Sequence, residues 1–136
     1  MLFRSFGFSP AGAGAEPWLP QPAAWRDFTV QVETGDPGSM LELYRAALHI
    51  RRDETALGDG PLTWLPSRAG VLAFERGNSV RCVVNVSAEP VPLPEHAGVL
   101  LATGPLDGEL LPPDGAVWLR SRHATAAEVT NPAGRS

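Results

Sequence analysis

The stretch Gly70–Ser87, GVLAFERGNSVRCVVNVS, reads as a hairpin. Its two apolar arms flank Gly77-Asn78. Both of those residue types accept the positive φ of a primed turn, and primed turns suit the twist of the strands they join. With a period of two, Leu72 and Phe74 share one face of the first arm, while Val80, Cys82, Val84 and Val86 line one side of the second. Glu75 falls on the other side and is expected to face out. An isolated hairpin is marginal in water, so more strands must be found around it.

They are found on both sides. PLTWLP (61–66) precedes the hairpin, and EPVPLPE (89–95), GVLLATG (98–104), GELLP (108–112) and GAVWLRS (115–121) follow it, each a short apolar run between Gly, Pro, Asn or Asp breaks. Runs at this spacing predict a small antiparallel β-sandwich over residues 58–120, and hence a mainly β fold. Trp64 and Trp118 lie within runs and are expected to fill the sandwich.

Upstream, GDPGSMLELYRAALHIRR (35–52) predicts one long amphipathic helix within residues 35–55. Asp36 is the expected N-cap and Pro37 the first helical residue. At about 100° per residue, Met40, Leu41, Leu43, Tyr44, Ala47, Leu48 and Ile50 form an apolar arc over roughly half the circumference, with Glu42, Arg45, His49 and Arg52 opposite. Such an arc implies substantial burial. Arg51 projects into it, which calls either for an acidic or carbonyl partner or for snorkelling at the cationic-friendly helix end. Residues 1–34 are expected to be Gly/Pro-rich coil, with DFTVQVE (27–33) as a possible extended piece. From residue 121 to 136, SRHATAAEVTNPAGRS lacks aromatics and periodicity and is expected to be a disordered tail.

Composition removes several classes of function. The net charge is −4 across 136 residues, with both signs scattered, so no basic stripe exists to follow a nucleic-acid backbone. No apolar run reaches the length of a membrane span, and Arg4, Ser5, Gly7, Ser9 and Pro10 interrupt any signal-peptide core. The cytoplasm is the expected compartment. All eleven basic residues are Arg, a bias of a GC-rich coding sequence rather than of function. Cys82 stands alone, so no intrachain disulfide forms, and its place in an alternating strand favours a buried structural thiol over a nucleophile. The sequon Asn85-Val86-Ser87 lies within a strand and is set aside.

Catalytic signatures are wanting. His49, His96 and His123 fall in a helix, a Pro-rich loop and the tail, without zinc-site spacing. No Gly-x-Ser-x-Gly elbow occurs, and AGAGAEP (11–17) lacks the phosphate-binding glycine pattern. Among the carboxylates Asp59, Glu75, Glu89, Glu95, Asp107, Glu109 and Asp114, turn chemistry accounts for Asp59, Asp107 and Asp114. A glycosidase would need two carboxylates about 5–10 Å apart. Of the tryptophans Trp18, Trp25, Trp64 and Trp118, Trp18 is the best placed for an outward sugar contact, although packing explains it as well. The expectation is no catalytic residue, no cofactor and no metal site, with substrate-binding residues unassigned.

Three segments taken in order carry a resemblance. GFSPAGAGAEPWLPQPAAW (7–25), TGDPGSMLELYRAALHIRR (34–52) and ALGDGPLTWLPSRAGVLAFERG (56–77) together resemble the C-terminal region of the alpha-amylase family of glycoside hydrolases. The closest likeness is to bacterial alpha-glucosidases and oligo-1,6-glucosidases, with trehalose synthases and sucrose isomerases as cousins. The resemblance implies that residues 1–34 are a loop remnant of a (β/α)8 barrel, that the helix is its last one, and that residues 58–120 are the appended sandwich. It also implies a barrel partner for the helix face and for Arg51. The family's three catalytic carboxylates lie on barrel strands, and no residue here corresponds to them. MLFRSF (1–6) does not match the loop expected before Gly-Phe-Ser, as in a truncated reading frame or gene remnant. The expected function is a non-catalytic bracing piece prone to self-association, with alternatives of a malto-oligosaccharide-binding module built on Trp18 and Trp25 or a hydrolase using turn carboxylates.

Overall fold

A computed structural model describes residues 19–122. The chain divides into two compact units, Met1–Arg45 and Ala46–Ser136.

In the first unit a 3-10 turn, Ala23–Phe28, leads into a single helical turn α1, Val30–Glu33. The expected extended piece is therefore helical. Thr29 caps α1, its hydroxyl accepting from the Val32 N–H at 3.3 Å, and among the described residues no strand pairs with this segment to satisfy an extended backbone. The long helix α2 spans Met40–Asp53. Its N-cap is Ser39 rather than Asp36: the Ser39 hydroxyl accepts from the Glu42 N–H at 3.2 Å. Asp36 instead closes a local turn, accepting from the Gly38 N–H at 2.9 Å, and so it delays the helix. Glu42 accepts from the Gly35 N–H at 3.0 Å and from Arg45 at 2.6 Å. No residue of α2 is buried, and Met40, Tyr44 and Leu48 are exposed.

All seven apolar runs become strands: β1 Leu62–Trp64, β2 Val71–Arg76, β3 Val80–Asn85, β4 Val91–Pro92, β5 Gly98–Ala102, β6 Leu110–Leu111 and β7 Gly115–Arg120. A five-stranded antiparallel sheet has the order β1-β2-β3-β7-β5, and β4 pairs with β6 in a second, two-stranded sheet. The β2–β3 turn carries φ of 54° at Gly77 and 60° at Asn78, the two positive values of the primed turn.

The core lies between the sheets and consists of Ala73, Val83, Val91, Leu111, Val117 and Leu119. Register sets Ala73 beside Val83 and Val83 beside Val117, so Val71, Glu75, Arg81, Asn85 and Leu119 share that inner face. The hairpin faces are thus the reverse of the expected ones. Leu72, Phe74, Val80, Cys82 and Val84 form the outer face, while Glu75 points inward. The outer side chains are larger and more numerous, but β4 and β6 cover the other side. Ser121, expected to begin the tail, is buried, and its N–H donates to the Ser79 carbonyl at 2.8 Å. Residues 123–136 lie outside the described residues.

Candidate functional site

The carboxylates weighed for catalysis have different side-chain partners, although Arg81 reaches both the Glu75 carboxylate and the Glu95 carbonyl. Glu75 is half-buried on the inner face, 3.5 Å from Arg81, and accepts from the Ser121 hydroxyl at 2.9 Å. Glu95 pairs with Arg122. Glu109 is exposed, 3.9 Å from His96, whose Nδ1 lies 2.9 Å from the Pro94 carbonyl. Asp107 makes an isolated bridge with Leu110, and Asp114 occupies a turn at φ 56°. Asp59 and Glu89 are exposed on loops. An open depression of about 270 Å³, lined by Thr103, Pro105, Leu111, Pro113 and Asp114 among others, contains one carboxylate. One carboxylate cannot divide the acid and nucleophile roles of glycoside cleavage.

The other singled-out residues are equally separate. His49 pairs with Asp53 at 3.2 Å along α2, and His123 lies outside the described residues. Among the described residues no group of three or more His, Cys, Asp or Glu could hold a metal ion. Cys82 is buried between its register neighbours Phe74 and Trp118. Burial pushes its thiol pKa up, with a smaller opposing effect from the Trp118 side chain. Arg51 is exposed and has no ion pair among the described residues. Asn85 is fully buried: its amide donates to the carbonyls of Glu89, Leu111 and Pro112 at 2.9–3.1 Å, and its oxygen accepts from the Ser87 N–H and hydroxyl. It is a structural tie between the two sheets, with no room for a glycan.

What the sequence reading missed is the exposed part of the outer face, at β1 and β2; Val80 and Cys82 on the same face are buried. Trp64 does not fill the sandwich; it is 64% exposed, beside Leu62 and near Leu72 at 50%. It stands edge-to-face on Phe74 at 5.5 Å between ring centroids. Trp118 is half-buried on the same face. The alternation alone pointed the other way: large apolar side chains gather on this side, while the inner side carries Glu75, Arg81 and Asn85. In the other unit Trp25 is 46% exposed. Trp18 lies outside the described residues.

The described residues thus form a seven-stranded antiparallel sandwich preceded in sequence by one long helix. Residues 55–118 match the model of a family described as a domain of unknown function, DUF3459. The chain is 38% identical over 86 residues to a probable alpha-glucosidase of Rhizobium meliloti (strain 1021), an alignment covering 61% of this chain and 15% of that protein. A crystal structure of a trehalulose synthase MutB mutant in complex with Tris matches with a TM-score of 0.66 at 28% identity, over 87% of this chain and 24% of that one. An isomaltulose synthase mutant from Erwinia rhapontici NX5, in complex with D-glucose, shares the fold at a TM-score of 0.66 and 21% identity, over 77% of this chain and 22% of its own. The chain thus spans about a sixth of the curated relative and about a quarter of the solved structures. The matches and the fold support a likeness to the C-terminal region of an alpha-amylase-family glycosidase. No helix among the described residues is long and apolar enough to cross a membrane.

Proposed function

We propose that these residues are the non-catalytic, bracing part of an alpha-glucosidase-like glycoside hydrolase, inactive by themselves, with the catalytic barrel as their partner. The observation that carries this reading is the outer sheet face. A sandwich whose core is already closed by β4 and β6 still presents Trp64, Leu62 and Leu72 to the surroundings. Side chains of that size on one face belong to an interface more often than to free surface. The apolar arc of α2, with Met40, Tyr44 and Leu48 exposed, supports the same reading for the helix. The different side-chain partners of the carboxylates support inactivity. A cytosolic setting suits the lone thiol.

The test is hydrolysis of p-nitrophenyl alpha-glucoside and maltose by the purified chain. No turnover is expected. Turnover that survives repurification, and is lost when Glu75, Glu109 or Asp114 is changed to its amide, overturns the proposal. The alternative of a malto-oligosaccharide-binding module built on Trp18 and Trp25 draws on the exposed ring of Trp25. It requires sugar-dependent quenching of tryptophan fluorescence that disappears in Trp25→Ala.

A further inference from the structure

The segment that follows α2 does not hang free. Ala56, in the 3-10 turn Thr55–Leu57, is the one buried residue between the helix and the sandwich. Its methyl lies against Gly77 at the tip of the β2–β3 hairpin, where a Cβ on Gly77 would meet it at 2.9 Å. Three polar contacts surround that wedge. The Gly77 N–H donates to the Pro61 carbonyl at 3.1 Å. The Arg76 guanidinium donates to the Gly58 carbonyl. The Arg120 guanidinium, on the neighbouring end of β7, grips both oxygens of Glu54 across the outer face. Glu54 in turn closes the helix, its N–H donating to the Ile50 carbonyl at 2.8 Å.

We infer that Glu54, Ala56, Arg76, Gly77 and Arg120 form a latch that fixes the end of α2 to the sandwich. Since no side chain of α2 is buried, packing of its own apolar face does not fix the helix end. A two-pronged Arg–carboxylate contact holds direction as well as distance, and the Gly77 site admits no larger residue without moving Ala56. Arg76 and Arg120 occupy partner positions on either side of Val80, so one strand register sets both cationic prongs. Glu54 and Arg120 are therefore positioning residues. The inference rests on the bracing reading and deepens it: the sandwich would brace the last helix through this latch, and the apolar faces would remain available to the barrel.

Amide hydrogen exchange on the whole chain tests it without reference to hydrolysis. Arg120→Met and Glu54→Gln should each speed exchange at Asp53, Glu54 and Leu57 by about fivefold, while Val83 and Val117 change by less than about twofold. The charge-swapped pair Glu54→Arg with Arg120→Glu should restore most of the protection. Gly77→Ala should loosen the same amides through the wedge rather than the charges. Equal acceleration at the sheet amides, no acceleration anywhere, or a charge swap that restores nothing would each overturn the latch. Such an outcome would leave inactivity of the chain, measured separately, as the test of the bracing role.

Discussion

Asn85 shows how one buried polar residue can hold two sheets together. Its amide satisfies three carbonyls from the β3–β4 connection, β6 and Pro112, and its oxygen takes two donors from Ser87. Asn85→Ala leaves those carbonyls without a donor in a dry site, and is expected to cost about 3 kcal/mol in urea denaturation. Asn85→Asp should cost more, because a carboxylate would face the same carbonyls. A loss below about 1 kcal/mol for alanine would mean that water replaces the amide. Cys82 makes a second test at this scale. Burial holds its thiol pKa above the ordinary value, so the neutral form is favoured in the fold. The associated stability is complete below the unfolded thiol pKa of about 8.5 and declines as pH rises through the folded value. Denaturation midpoints should therefore fall more steeply between pH 8 and 10 in the wild type than in Cys82→Ala. The native thiol should resist a disulfide reagent at pH 8 until the chain unfolds.

Among the elements, α2 begins where Ser39 and Glu42 set it. The Gly35 N–H, and after it Arg45, hold the Glu42 carboxyl below the ordinary glutamate range. A depressed carboxylate contributes above its unfolded pKa, about 4.3, and the contribution is lost as pH falls through the folded value. Helix signal in circular dichroism should thus decline between pH 5 and 3, and Glu42→Gln should flatten that decline. A wild-type profile as flat as the variant's counts against the cap. The position of this cap was partly legible in the sequence: Ser39-x-x-Glu42 is a capping-box pattern, but Asp36-Pro37 offers an equally good local start. Only the competing turn at Gly38 decides between them. The strands were more legible. Each of the seven runs lies among Gly, Pro, Asn, Asp or Ser breaks, and Gly77-Asn78 names its own turn. The sides of the sheet were not legible, because alternation identifies which residues share a face but not which face is covered. In the hairpin the outer side is the more apolar and the inner one carries Glu75, Arg81 and Asn85, so cover by β4 and β6, distant in sequence, overrides what the local pattern suggests. The α1 turn was missed for a related reason: Phe28, Val30 and Val32 alternate like a strand, but an extended segment also needs a neighbour for its backbone.

At the scale of the whole molecule, a sandwich with a closed core and an exposed apolar flank should behave differently from one that is polar all round. Trp64 and Leu72 contribute little to the fold while exposed, so Trp64→Lys with Leu72→Lys should change unfolding free energy by less than about 1 kcal/mol. The same face in water favours contact between copies. We expect the weight-average mass in sedimentation to rise with concentration for the wild-type chain, and the lysine variant to need about tenfold more protein for the same rise, since two desolvated lysines oppose the contact. A parallel Tyr44→Glu variant reports on the α2 face separately. Association lost only in Tyr44→Glu would assign the self-contact to the helix and leave the sheet face to another partner. A monomer at every concentration, with no difference between wild type and variants, would mean that the outer face is tolerated in water. The bracing role would then lose the physical need on which it is argued, even if the chain proved inactive on every glucoside.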